Sequence, residues 1–289
     1  MRYRRLQLYR LALHPRLLLE GYNVRTTVRS TEREHAIRKI VTPKEISDAA
    51  ARLSFAVADL GKDQGWDEAV RGCKYVLHVA SPFPSSEPSD ENILIQPAVN
   101  GTLRVLKACL KEHVQRIILT SSFAAMGYGH KSSDTVMNEG TWSVTDTGKL
   151  GAYAKSKTLA DRAAWDFIDK HPELELVTMN PAVVFGPILG HESGAAIGTS
   201  LAIIKRMMTG GIPAAPIISF GCVDARDVAI LHTLALDLPE AKGKRFLVVA
   251  GKGEFITGHD IGAELGHPIR VMPNWLARFL GLFLDDLRV

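Results

Sequence analysis

The segment RIILTSS, residues 116–122, decides the fold. Its apolar residues are contiguous rather than alternating, so it has no wet face, as expected of a parallel strand buried on both sides. On either side of it, YNVRTTV (22–28), LSFAVAD (53–59), YVLHVA (75–80), LELVTMN (174–180) and RFLVVA (245–250) read as further strands, most of them equally apolar. Between them DEAVRGC (67–73), NGTLRVLKACLKEH (100–113), the stretch from Tyr153 to about Lys170, and TSLAIIKRMMTG (199–210) carry helical spacing. Strands alternating with helices predict an α/β protein with a doubly wound parallel sheet. From about Gly186 the pattern breaks, in GPILGHESGAAIG and GGIPAAPI. The expected division is a sheet domain over residues 1–185 and a smaller substrate-facing lobe over 186–289, with some lobe segments returning to the sheet.

Composition narrows the function. The 289 residues are 46% hydrophobic and 23% charged, as in globular proteins, and 35 basic against 31 acidic side chains give a net charge of +4. That charge is too weak, and too evenly spread, to predict a nucleic-acid partner. No apolar run spans a bilayer. Cys73, Cys109 and Cys222 are widely spaced and odd in number, which predicts neither a disulfide framework nor a metal site and favours a reducing compartment, the cytoplasm. The ten histidines show no metal spacing, and TSSFAAM lacks the Gly-x-Ser-x-Gly elbow of nucleophilic hydrolases. His78, on an apolar strand, reads as a hydrogen-bonded core residue. The C-terminal stripe Trp275, Leu276, Phe279, Leu280 and Phe283 reads as core more readily than as membrane contact.

Ligands on parallel sheets bind beyond the carboxyl ends of the strands. Those ends carry Arg29, Asp59-Leu60, Val79-Ala80-Ser81 and Thr120-Ser121-Ser122, all expected to face one crevice. GAYAKSKTLA (151–160) adds Tyr153 and Lys157, at i and i+4 on one helix face. An ammonium there favours phenolate and is expected to lower the tyrosine's pKa, so that the phenol exchanges a proton with a carbonyl oxygen. Ser122 would fix the same oxygen. Read alone, Tyr-x-x-x-Lys describes the wet side of a helix equally well. A serine-rich strand end 31 residues upstream tips the reading toward chemistry.

TSSFAAMG (120–127), NEGTW (138–142), GAYAKSKTLADRAAW (151–165), NPAVVFGP (180–187) and CVDARDVAILH (222–232) together resemble the extended short-chain dehydrogenases/reductases, which are NAD-dependent epimerase/dehydratase-like. The likeness, from about Gly21 to about Gly258, is to the dihydroflavonol reductase, cinnamoyl-CoA reductase and aldehyde/ketone reductase branch. It implies a Rossmann-type fold and a Ser122, Tyr153, Lys157 triad, with Ser121 the near alternative for the serine and Lys157 also binding the nicotinamide ribose. It implies that Asp59 and Leu60 flank the adenine and that Val79, Ala80 and Ser81 run along the cofactor's centre. Pro181, Ala182, Val183 and Val184 would pack the nicotinamide. Arg29 matches an arginine of NADP-preferring members, and a guanidinium suits a 2′-phosphate, so NADP is expected over NAD. An exposed strand-end arginine is the plain alternative. Asn100 matches a supporting asparagine, or else packs a helix. The resemblance also implies homodimers formed through the triad helix and its predecessor.

Three functional readings stand. One is an NADP-dependent reductase or dehydrogenase acting on a carbonyl/alcohol pair of a small organic substrate. Another is a sugar-nucleotide epimerase or dehydratase holding NAD, with Arg226 on the diphosphate or paired to a carboxylate. The third is a non-catalytic, degenerate reductase. The last arises because the family's first strand and Gly-x-x-Gly-x-x-Gly turn have no counterpart: counting back without gaps, its glycines fall at Arg4, Gln7 and Arg10. Residues 1–20 therefore read as a divergent or incorrectly defined N-terminus. Loss of that strand should leave two neighbouring strands each short of a hydrogen-bonding partner. The substrate pocket is expected from loops near 83–89, 125–131 and 186–199.

Overall fold

The structure, a computed structural model, describes residues 8–43, 46–82, 88–130, 136–146, 150–187, 199–212, 214–251, 255–273 and 275–276. Its strands are β1 (Val24–Val28), β2 (Leu53–Val57), β3 (Tyr75–His78), β4 (Arg116–Thr120), β5 (Glu175–Pro181), β6 (Val183–Phe185), β7 (Ala214–Ala215), β8 (Ser219–Phe220), β9 (Cys222–Asp224), β10 (Arg245–Val248), β11 (Ile256–Thr257) and β12 (Arg270–Val271). Its α-helices are α1 (Leu8–Leu19), α2 (Glu34–Val41), α3 (Trp66–Val70), α4 (Asn92–Lys111), α5 (Ala152–Ile168), α6 (Thr199–Met208), α7 (Ala225–Asp237) and α8 (Gly258–Glu264).

The central sheet is parallel, in the order β10-β5-β4-β3. Alternation along β4 sends its side chains into two different cores. Ile118 joins Leu13, Leu17 and Leu18 of α1 and Val228, Ala229 and Leu236 of α7. Ile117 and Leu119 join Trp66 of α3, Val105 and Leu106 of α4, and Ala164 of α5. Helices thus cover both faces, and this is a Rossmann-type α/β fold. All five residues of β4 are buried, and so is β5 from Leu176 onward.

Outside that centre the expectation of fully buried strands fails. In β1, Arg25 is exposed, and Val57 at the end of β2 is 50% exposed. These two strands pair with each other in a separate parallel ladder, from Val24–Leu53 to Val28–Val57. Among the described residues β1 and β3 each have a single hydrogen-bonded neighbour. The two ladders are fastened by side chains instead. Tyr22 and Tyr75 both donate to the Asp237 carboxylate at the end of α7, and Arg25 donates to the Arg71 carbonyl at 2.7 Å, just ahead of β3.

At the N-terminus α1 runs through a proline. Pro15 lies inside α1, costing one intrahelical bond. Burial of Leu13, Leu17 and Leu18 and a 2.9 Å bond between His14 Nε2 and Thr26 Oγ1 offset that loss. Of the three positions where glycines were sought, Arg4 and Gln7 lie outside the described residues and Arg10 falls in the first turn of α1. Trp275 is 70% exposed, not core; Phe279, Leu280 and Phe283 lie outside the described residues. Among the described residues no helix is long and apolar enough to cross a membrane.

Candidate active site

Register brings the strand ends level. His78 of β3 stands opposite Leu119, Thr120 opposite Met179, and Leu247 of β10 opposite Asn180. Val79-Ala80-Ser81, Ser121-Ser122 and Pro181-Ala182 therefore leave the sheet along one edge. Ser122 is extended (φ −163°, ψ 154°) and caps a 3₁₀ turn, Phe123–Ala125, by accepting the Ala124 N–H at 3.1 Å. Gly127 closes this turn because a Cβ there would lie 2.1 Å from the Phe123 ring.

Helix α5 runs past this turn, with Tyr153, Lys157 and Asp161 stacked on one face at four-residue steps. The Ser122 side chain hydrogen-bonds the Tyr153 phenol. Lys157 is 4% exposed, and its Nζ lies 6.0 Å from the centre of the Tyr153 ring. The three expected triad members thus form one cluster. The expected electrostatics do not hold, however. Burial dominates and pushes the phenol up to about 12, with Ser122 pulling it down and Tyr128 adding to the rise. Burial also pulls Lys157 down to about 8, opposed by the Asp161 charge. Two groups leaving water together each favour their neutral form, and the ammonium does not overcome this.

An unfolded lysine titrates near 10.5 and this one near 8. The unfolded chain therefore binds the extra proton between those values, and stability rises with pH across that window. Below about pH 8 the full penalty of burying the ammonium is present. Lys157→Met is expected to stabilise the fold at pH 7 by on the order of 3 kcal/mol, with the gain vanishing by about pH 10.5. Denaturant melts at both pH values measure this, and equal stability of variant and wild type at pH 7 would refute it.

The other predicted residues divide. Ser121 is 6% exposed and its Oγ donates to Asp161 Oδ2 at 2.9 Å, away from the phenol. Thr120 is 2% exposed and its Oγ1 lies 2.8 Å from His232 Nε2. The His232 Nδ1–H donates to the Val228 carbonyl at 2.7 Å, so Nε2 accepts the threonine proton. Arg29 is exposed at the end of β1. Asp59 accepts the Gly61 N–H at 2.8 Å, and Leu60 packs on Gly101. Val79 and Pro181 are buried, whereas Ala80, Ser81, Ala182, Val183 and Val184 are half-buried. Asn100 is exposed and bonds Gln96 on its own helix, not a packing partner. Arg226 is taken by Asp224, at 2.9 and 2.7 Å. His78 is buried, 5% exposed. Of the loops expected to shape the substrate pocket, residues 83–87, 131 and 188–198 lie outside the described residues.

Sequence reasoning missed the group beneath the triad. Asp161 Oδ2 accepts from Ser121 Oγ, from Asn180 Nδ2 at 3.1 Å and from an Arg245 guanidinium nitrogen at 3.3 Å. Arg245 also donates to the Glu139 and Thr141 carbonyls at 2.9 and 2.8 Å and stacks on Trp142, 3.6 Å from its ring centre. Asn180 donates to the Ser122 carbonyl as well, at 3.2 Å. Asp161, one more helical step beyond Lys157, was within reach of the spacing argument; Arg245 was not.

The residues present suit a dinucleotide. Among the described residues no hydrogen bond engages the buried Lys157 ammonium, a cation matched to ligand hydroxyls, and an exposed guanidinium stands at the end of β1. A parallel sheet with this serine–tyrosine–lysine cluster at its carboxyl edge defines a Rossmann-type oxidoreductase.

Comparison with known proteins carries this further. Residues 11–250 match the model of the NAD dependent epimerase/dehydratase family, and the chain belongs to that family. It is 38% identical over 239 residues to cinnamoyl-CoA reductase CAD2 of Medicago truncatula, covering 80% of this chain and 70% of that one. It is 36% identical over 252 residues to ketoreductase azaE of Aspergillus niger, covering 81% and 72%. The solved structure of Gre2 with NADPH from Candida albicans superposes with a TM-score of 0.77 at 28% identity, covering 93% of this chain and 84% of that one.

Proposed function

We propose that this chain is an NADP-dependent oxidoreductase that interconverts a carbonyl and an alcohol on a small organic substrate. The observation that carries the reading is the Ser122–Tyr153–Lys157 cluster, supported by relatives named as cinnamoyl-CoA reductase and ketoreductase and by a neighbour solved with NADPH. With its pKa near 12, Tyr153 is a phenol at neutral pH, the form that donates a proton to a carbonyl oxygen. Ser122, fixed by its cap to Ala124, hydrogen-bonds the same oxygen and orients it. The Lys157 ammonium stabilises the phenolate left after transfer and holds ribose hydroxyls. Arg29, Asp59, Leu60, Val79, Ala80, Ser81, Thr120, Ser121, Pro181, Ala182, Val183 and Val184 line the cofactor, Thr120 through its backbone. When bound, the nicotinamide supplies or removes the hydride at the carbonyl carbon.

Two experiments test this. NADPH oxidation with aldehydes and ketones should show kcat/KM falling above about pH 8, as Lys157 loses its charge while Tyr153 remains protonated. A purified, folded protein that turns over no carbonyl compound would sink the proposal. The Arg29→Ser variant should bind NADPH roughly 10- to 100-fold more weakly, the scale of a charge-assisted phosphate contact, with NADH binding unchanged. Equal losses for both cofactors, read by tryptophan fluorescence titration, would remove the 2′-phosphate role of Arg29.

A further inference from the structure

The group beneath the triad is more than filler. Asp161 is 1% exposed and sits one helical step past Lys157. Its Oδ2 collects donors from the end of β4 (Ser121), from β5 (Asn180) and from β10 (Arg245), while Oδ1 is buried without a partner. A carboxylate that only joined three elements would be served as well by an amide, at less desolvation cost. Burial raises the Asp161 carboxyl above its usual range, against the charge of Arg245 and the hydrogen bonds from Asn180, Ser121 and Arg245, so an acid kept there, one helical step from a buried ammonium, needs another reason. We propose that Asp161 is a positioning residue of this site: its carboxylate braces the Ser121–Ser122 strand end and faces the Lys157 ammonium, holding Lys157 in its charged form. The proposal rests on the oxidoreductase reading above for its catalytic meaning, though not for its electrostatics.

The charged and titratable surroundings are few. On α5 itself Lys157 faces Tyr153 and Asp161; the turn after β4 brings Tyr128 toward Tyr153; β10 brings Arg245 to Asp161. From β4 and β5 come only neutral donors, Ser121 and Asn180. Asp161 is thus the one anion acting on Lys157 among the described residues, against the burial that pulls it toward about 8. A nearby opposite charge favours the charged form of its partner.

Asp161→Asn keeps the side chain's shape and an acceptor for Ser121, Asn180 and Arg245 while removing the charge. In protein labelled with ¹³Cε-lysine and free of cofactor, the Lys157 resonance should titrate at least one pH unit lower than in wild type. Asp161→Glu should restore the midpoint to within half a unit. In turnover, Asp161→Asn should move the alkaline limb of kcat/KM down by the same amount and lower kcat at pH 7 by about twofold or more, with the KM for NADPH little changed. If Asp161→Asn does not fold, the pair Asp161→Asn with Arg245→Met, which leaves no guanidinium without its carboxylate, carries the same expected shift. An unshifted Lys157 midpoint in a folded variant overturns the proposal. Absence of turnover in wild type would overturn the oxidoreductase reading, while the lysine titration would still decide the electrostatic role of Asp161.

Discussion

Tyr153→Phe should lower kcat with NADPH and a ketone about a thousandfold, within the range that a positioned general acid contributes. Only the hydroxyl is lost: the ring, its 6.0 Å contact with Lys157 and the packing of α5 remain. The fold should therefore melt within about 1 kcal/mol of wild type, the worth of the missing bond to Ser122. NADPH affinity should stay within threefold, because the phenol's task is proton transfer and not retention of the cofactor. Steady-state kinetics with fluorescence titration separate the two. A variant retaining a tenth or more of wild-type kcat would show that another group donates the proton, and the assignment of the site would fail.

The second large effect is structural. Arg116 opens β4 at 4% exposure, with Nε donating to Glu175 Oε2 at 2.7 Å. One of its terminal nitrogens donates to the carbonyls of Ala235, Leu236 and Leu238 at 2.7, 3.1 and 2.8 Å. The Ala235 and Leu236 carbonyls lie in the last turn of α7, where the helix supplies no partner, and the Leu238 carbonyl just beyond also accepts the Ala241 N–H at 3.2 Å. Arg116→Met should cost about 3–5 kcal/mol, the range for breaking a buried ion pair, since it orphans the helix end and half-strands Glu175. Arg116→Lys should lose less, keeping charge without the planar fork. Guanidinium melts report both, and a Met variant within 1 kcal/mol of wild type would show that water replaces the guanidinium at no penalty. Since α7 also carries His232 and Asp237, slippage of its end should loosen β4 and both tyrosine contacts together.

The sheet and its helices were legible because contiguous apolar segments such as RIILT and helical spacing in NGTLRVLKACLKEH are local patterns, and the structure places a strand and a helix there. The start of α4 at Asn92, eight residues before that stretch, was hidden by Pro97, which the helix tolerates. The Ser122–Tyr153–Lys157 cluster was legible through spacing on one helix and one strand end. The direction of the tyrosine's titration was not, because desolvation depends on what surrounds a group in three dimensions. Arg245 and Asp161 meet across 84 positions only because β10 lies beside β5. No one-dimensional pattern records that adjacency. The exposure of Val57 was missed for the same reason, since an apolar strand looks alike at the centre and at the margin of a sheet.

The contact between His232 and Thr120 has a consequence for acid. Burial pulls the imidazole down to about 4, so the ring anchoring the last residue of β4 is uncharged throughout the neutral range. An unfolded histidine takes up its proton near 6.5, so the folded chain forfeits stability as acidity deepens from there toward 4. In neutral and mildly alkaline buffer this peg stays mute, and the serine platform keeps its place while the ionisable groups of α5 change state beside it.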